Sequence, residues 1–143
     1  MKLPLSGDDV PEILCGDTAV PRLPGLSAAV ISKNVLHEIA KLKSAPAWQE
    51  VTGRSSETLA KYSGLTVVLL LMKAGTQMRA HRVDGWTSVY VIQGRLKVHV
   101  LEEQCADLGV GELLILEPAL EHDVQAPEES AFLLTIAGAH GAI

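Results

Sequence analysis

Five histidines occur in this chain of 143 residues, and two of them, His81 and His122, sit in stretches unlike the rest. His81 lies within Gly75-Thr-Gln-Met-Arg-Ala-His81-Arg-Val83-Asp-Gly-Trp-Thr87-Ser-Val-Tyr-Val-Ile-Gln-Gly94. His122 closes Gly111-Glu-Leu-Leu-Ile-Leu-Glu117-Pro-Ala119-Leu-Glu-His122. A neutral imidazole nitrogen binds Fe, Mn, Ni or Zn, and the same ring carries protons near neutral pH. Two chemistries follow, metal ligation and acid–base catalysis. Proton transfer needs a partner that orients the imidazole, and none stands out in the sequence.

A catalytic metal with an open position takes at least three protein ligands, so His81 and His122 need company. Asp84, three residues after His81 at a turn, is the best third ligand, ahead of Gln77, His99 and Glu121. In Gly94-Arg-Leu-Lys-Val-His-Val the apolar face is Leu96, Val98 and Val100, which turns His99 outward with Arg95 and Lys97. By the same alternation Glu121 faces away from His122. Met78, Trp86 and Tyr90 are placed to line the mouth of a pocket around the two histidines.

The elements that position these residues are strands. After Gly53 the pattern has period two, predicting strands over Glu57–Tyr62, Leu65–Lys73, Ser88–Ile92, Arg95–Leu101, Cys105–Val110, Glu112–Leu116, Glu121–Ala126 and Ala131–Ile136. Gly and Pro punctuate them, and no stretch of helical length separates neighbours, so parallel βαβ units are excluded and the strands pair as hairpins in a sandwich, jelly roll or barrel. Before them, Val35, Leu36, Ile39 and Leu42 mark one short amphipathic helix from Asn34 to Lys43, stopped at Ser44-Ala45-Pro46. Four prolines in the first thirty residues make the start an extended arm. The expected division is an arm and helix over 1–52, packing on a barrel over 53–143.

Nearly half the residues are apolar but only five are aromatic, so the core is aliphatic. A formal charge of -5 without a Lys/Arg stripe gives no footprint for nucleic acid or anionic membranes. Cys15 and Cys105 are ninety residues apart and make neither a zinc knuckle nor a disulfide framework. The N-terminal residues lack the apolar core of a secretory signal and no run is long enough to span a bilayer. A cytoplasmic protein is expected.

The two histidine stretches resemble the cupin superfamily, whose motifs read G-x5-H-x-H-x3-E-x6-G and G-x5-P-x-G-x2-H-x3-N. Gly75, His81, Gly94, Gly111 and His122 match, sixteen residues separate the motifs, and the resemblance covers Glu57 to Ile136. It implies an all-β antiparallel jelly-roll barrel (a double-stranded β-helix), commonly dimeric, with a divalent metal held by motif residues at one mouth. Val83 and Thr87 replace the second histidine and the glutamate, while Glu117, Ala119 and Ala126 replace proline, glycine and asparagine. Two of four implied ligands are therefore missing, and the cavity is less polar than a hard cation requires.

Two readings stand. One is a small-molecule-binding protein with a pocket of His81, Val83, Thr87, His122, Met78 and Tyr90. The other is a metal-dependent oxygenase or isomerase using His81 and His122, completed by Asp84 or water. The arm and helix carry Leu23, Leu26, Val30, Val35, Ile39 and Leu42, which must be buried on the barrel or on a second subunit. A homodimer is expected.

Overall fold

The computed structural model of the chain describes residues 25–49, 53–100 and 104–138, with the backbone alone at positions 80 and 81. The residues 1–24 of the expected arm, including Cys15 and Leu23, lie outside the described residues.

Helix α1 (Val35–Ser44) begins where Asn34 takes an extended conformation and its side chain accepts the amide of His37 at 3.1 Å, satisfying one otherwise orphan donor. Lys41 and Lys43 occupy its last turn, where the helix dipole favours cations. A second helix, α2 (Pro46–Gln49), follows directly. Pro46, read in the sequence as a stop, also starts this turn, because its missing N–H is not needed at a first helical position.

Nine strands follow: β1 (Arg54–Tyr62), β2 (Leu65–Met72), β3 (Thr76–His81), β4 (Trp86–Gln93), β5 (Leu96–Val100), β6 (Gln104–Leu108), β7 (Leu113–Leu116), β8 (His122–Ala126) and β9 (Ser130–Ala137). They form two antiparallel sheets, ordered β1-β2-β9-β4-β7 and β3-β8-β5-β6. The core lies between the sheets, where Leu70, Met72, Val89, Val91, Leu96, Val98, Val124 and Phe132 pack together. On the other side of β2, Leu69 and Leu71 meet Ile39 of α1 and Trp48 of α2. Burial on both faces explains why β2 reads Leu-Thr-Val-Val-Leu-Leu-Leu-Met rather than alternating.

The sequence reading anticipated eight of these strands. The one it missed is β3, Thr-Gln-Met-Arg-Ala-His, which is short, polar and without apolar alternation. Leu26 and Val30 are exposed, but the Leu26 carbonyl accepts the amide of Lys61 at 2.8 Å and Tyr62 Oη donates to the Ala28 carbonyl at 2.6 Å. The segment before α1 is thereby tied to the end of β1. Among the described residues no helix is long and apolar enough to cross a membrane.

Candidate functional site at the barrel mouth

Chain order brings the two histidine stretches to one end of the molecule. Strand β3 ends at His81 just before β4 starts at Trp86, and β7 ends at Leu116 just before β8 starts at His122. The two connecting loops are joined by the amide of Ala119, which donates to the Val83 carbonyl at 2.8 Å. Ala119 achieves this with a left-handed backbone, φ 67°. It stands where the cupin pattern has glycine and keeps the glycine conformation, which costs a residue with a Cβ about 1–2 kcal/mol.

On the four-stranded sheet His81 and His122 are register partners across β3 and β8, with one extra residue of β3 accommodated between Met78 and His81. His122 also pairs with Val100 of β5. Its side chain is 4% exposed, and Nδ1 lies 3.0 Å from the Leu120 carbonyl oxygen. A carbonyl only accepts, so Nδ1 carries the hydrogen, the ring is locked in orientation, and Nε2 is the acceptor nitrogen of the neutral imidazole.

The facing sheet supplies two buried hydroxyl residues. At this end of the barrel Thr66 (β2), Ile136 (β9), Thr87 (β4) and Leu116 (β7) are successive register partners, and all four are buried. Thr66 is 4% exposed, and its Oγ1 is buried with no hydrogen-bond partner in the protein. A buried hydroxyl left unpaired costs about 1–3 kcal/mol, so such a group calls for a partner. Sequence reasoning missed Thr66. The available signal was a lone hydroxyl residue inside the apolar run of β2.

The other expected residues divide. Met78 is half-buried and packs against the core, and Val83 is half-buried in the loop after β3. Tyr90 does not join them: it is three residues after Thr87, hence on the opposite side of β4, and both it and Trp86 are exposed on the outer face. Asp84 is exposed in its loop, Gln77 is exposed on β3, and Glu121 is exposed, with Arg82 Nη2 3.4 Å from its carboxylate. His99 faces outward, as alternation requires. Beside His122, a groove of about 720 Å³ opens between β5–β6 and β7, lined by Val100, Gln104, Leu114, Leu116, Glu117 and Leu120 among others. Val100 and Leu120 are the same residues that flank and anchor His122.

Two antiparallel sheets packed face to face, with both histidine stretches at one end, define a double-stranded β-helix. The chain has the cupin fold. A cupin superfamily protein from Desulfitobacterium hafniense superimposes with a TM-score of 0.63 at 18% identity, over 83% of this chain and 100% of that one. An RmlC-like cupin from Shewanella frigidimarina gives 0.57 at 20% identity, over 62% of this chain and 79% of that one. KdgF from a Halomonas species gives 0.56 at 20% identity, over 63% and 84% respectively. No protein-family model and no curated protein matches the sequence.

The resemblance of the two histidine stretches to the cupin motifs implies a divalent metal at the mouth. His122, with Nδ1 on a carbonyl, is oriented as metal-binding histidines are. Val83 and Thr87 bring no imidazole or carboxylate to the other implied positions, and among the described residues no three His, Cys, Asp or Glu side chains converge. The donor set at these positions does not fit the full metal site.

Proposed function

We propose that this chain is a cupin-fold binding protein for a small, largely apolar molecule that enters the barrel mouth and brings a polar group to Thr66. The observation that carries this reading is the unpartnered, buried Thr66 hydroxyl at the barrel end that also holds Thr87 and His122. The anchored His122 and the groove beside it support the same reading, since ligand sites are apolar cavities with a few fixed polar groups. The test is a thermal-shift screen of small apolar acids, alcohols and amides, repeated on Thr66→Val and His122→Gln. Compounds that raise the melting temperature of the parent and not of the variants bear the reading out. A screen in which every hit acts equally on parent and variants overturns it.

We also infer a homodimer. Helix α1 covers β1, β2 and β9 on the outer face of the five-stranded sheet, and leaves the β4–β7 half open with Trp86 (52% exposed), Tyr90, Leu113 (57%) and Ile115. Tyr90 and Leu113 are register partners, so the patch is continuous. With neighbouring Val110, its exposed side chains amount to on the order of 500 Å², the size at which surface patches mark interfaces. That is over half of what one partner contributes to a standard dimer.

A further inference from the structure

The outer face of the four-stranded sheet carries a second cluster of reactive side chains. Leu96, Val98 and Val100 of β5 point into the core, which leaves Lys97 and His99 outside. The register places Asp123 of β8 directly opposite His99 on one side and Cys105 of β6 directly opposite it on the other. His99 Nδ1 lies 3.0 Å from Asp123 Oδ1, the His99 side chain is 43% exposed, and Cys105 is exposed. A carboxylate, a histidine and a thiol thus stand in one row across three adjacent strands.

The order in that row matters. The Asp123 carboxylate accepts the Nδ1 hydrogen, so Nε2, across the ring from Asp123, is the basic nitrogen. Directly opposed residues on antiparallel strands have Cβ atoms about 4.5–5.5 Å apart, which makes Cys105 and His99 nearest cross-strand neighbours on this outer face. Cys105 also lies on the rim of the groove between β6 and β7, together with Leu114, Ile115 and Leu120. The thiol therefore has an imidazole on the neighbouring strand and the edge of a groove beside it.

We propose that Cys105 is a thiol-modification site that exchanges with low-molecular-weight disulfides, with His99 as general base and Asp123 as the residue that positions it. Nε2 takes the thiol proton and Sγ attacks one sulfur of the disulfide. One S–S bond forms as another breaks, and the departing thiolate leaves as a thiol with the proton from the imidazolium. No net oxidant is consumed, because one disulfide replaces another. Lys97 on β5 flanks the row, and Asp107 on β6 is engaged by Arg95 at 2.9 Å. Oxidised glutathione serves as the probe disulfide.

The experiment uses the full chain with Cys15→Ser, so that Cys105 is the single thiol, and follows adduct formation with oxidised glutathione by intact mass between pH 6 and 10. His99→Gln is expected to slow the reaction at pH 7 by about five-fold or more, and the gap should close near pH 10, where solvent itself ionises a thiol. Asp123→Asn should show a smaller loss with the same pH dependence. Rates within two-fold of the parent at every pH in both variants would overturn the proposal and leave Cys105 as an exposed thiol only. Should His99→Gln fail to fold by circular dichroism, Asp123→Asn decides by the same pH criterion.

Discussion

The amide of Ala119 donates to the Val83 carbonyl across 2.8 Å, and it does so from a backbone with φ 67°. This bond ties the two loops at the mouth of the barrel together at the cost of local strain. Ala119→Gly removes a strain of about 1–2 kcal/mol and adds unfolded-state entropy of about 0.4–1 kcal/mol. A net stabilisation of about 0.5–1 kcal/mol is expected, read as a higher urea midpoint at unchanged slope.

Gly94 and Gly111 both adopt positive φ, 83° and 85°. A Cβ on Gly94 would collide with the Glu129 carbonyl oxygen and the Ser130 hydroxyl, whereas one on Gly111 would meet nothing within 4 Å. Gly111→Ala should therefore cost only the left-handed strain, about 1–2 kcal/mol. Gly94→Ala should cost clearly more, since the turn before β9 must move. Parallel urea titrations compare the two, and equal losses would contradict this account.

Glu38 of α1 is buried, with Lys41 Nζ at 2.8 Å. That ammonium holds its carboxyl below the ordinary value of 4.5 against the opposing effect of burial. A lowered folded-state value means stabilisation that is complete above about pH 4.5 and lost as the pH falls through the lowered value. Glu38→Gln should melt below the parent at pH 7, and the difference should shrink as the pH is taken below 4.

Metal content separates the binding reading from the metal-enzyme reading. Untagged protein is expected to contain well below one equivalent of Fe, Mn, Ni or Zn by elemental analysis, and adding each ion should leave its melting temperature unchanged. One tightly held equivalent would instead support an oxygenase or isomerase built on His81 and His122.

Leu113→Glu together with Ile115→Lys places charges on the open outer face. Light scattering after size exclusion should give a dimer mass for the parent at micromolar concentration and a monomer mass for the double variant. A monomeric parent would refute the dimer.

The general architecture was legible in the sequence because its signals are local. Gly75, Gly94 and Gly111 mark turns that need positive φ, and alternation set the inner and outer faces of β5 well enough to turn His99 outward. The site was legible only in part. Strand β3 has too little apolar alternation to reveal itself, Thr66 is hidden in a strand buried on both faces, and Tyr90 was grouped with Thr87 although three residues of a strand separate opposite faces. The Cys105, His99 and Asp123 row depends on which strands are neighbours, and that is a property of topology rather than of spacing.

The extra residue accommodated in β3 between Met78 and His81 has an evolutionary consequence. Loss of a single codon between Met78 and His81 would remove the extra residue, leaving one residue on each strand between the pairs Met78–Val124 and His81–His122 and keeping the two histidines opposite each other. A one-residue deletion at this point is therefore a change of strand geometry that a lineage can pass through without separating the two histidines.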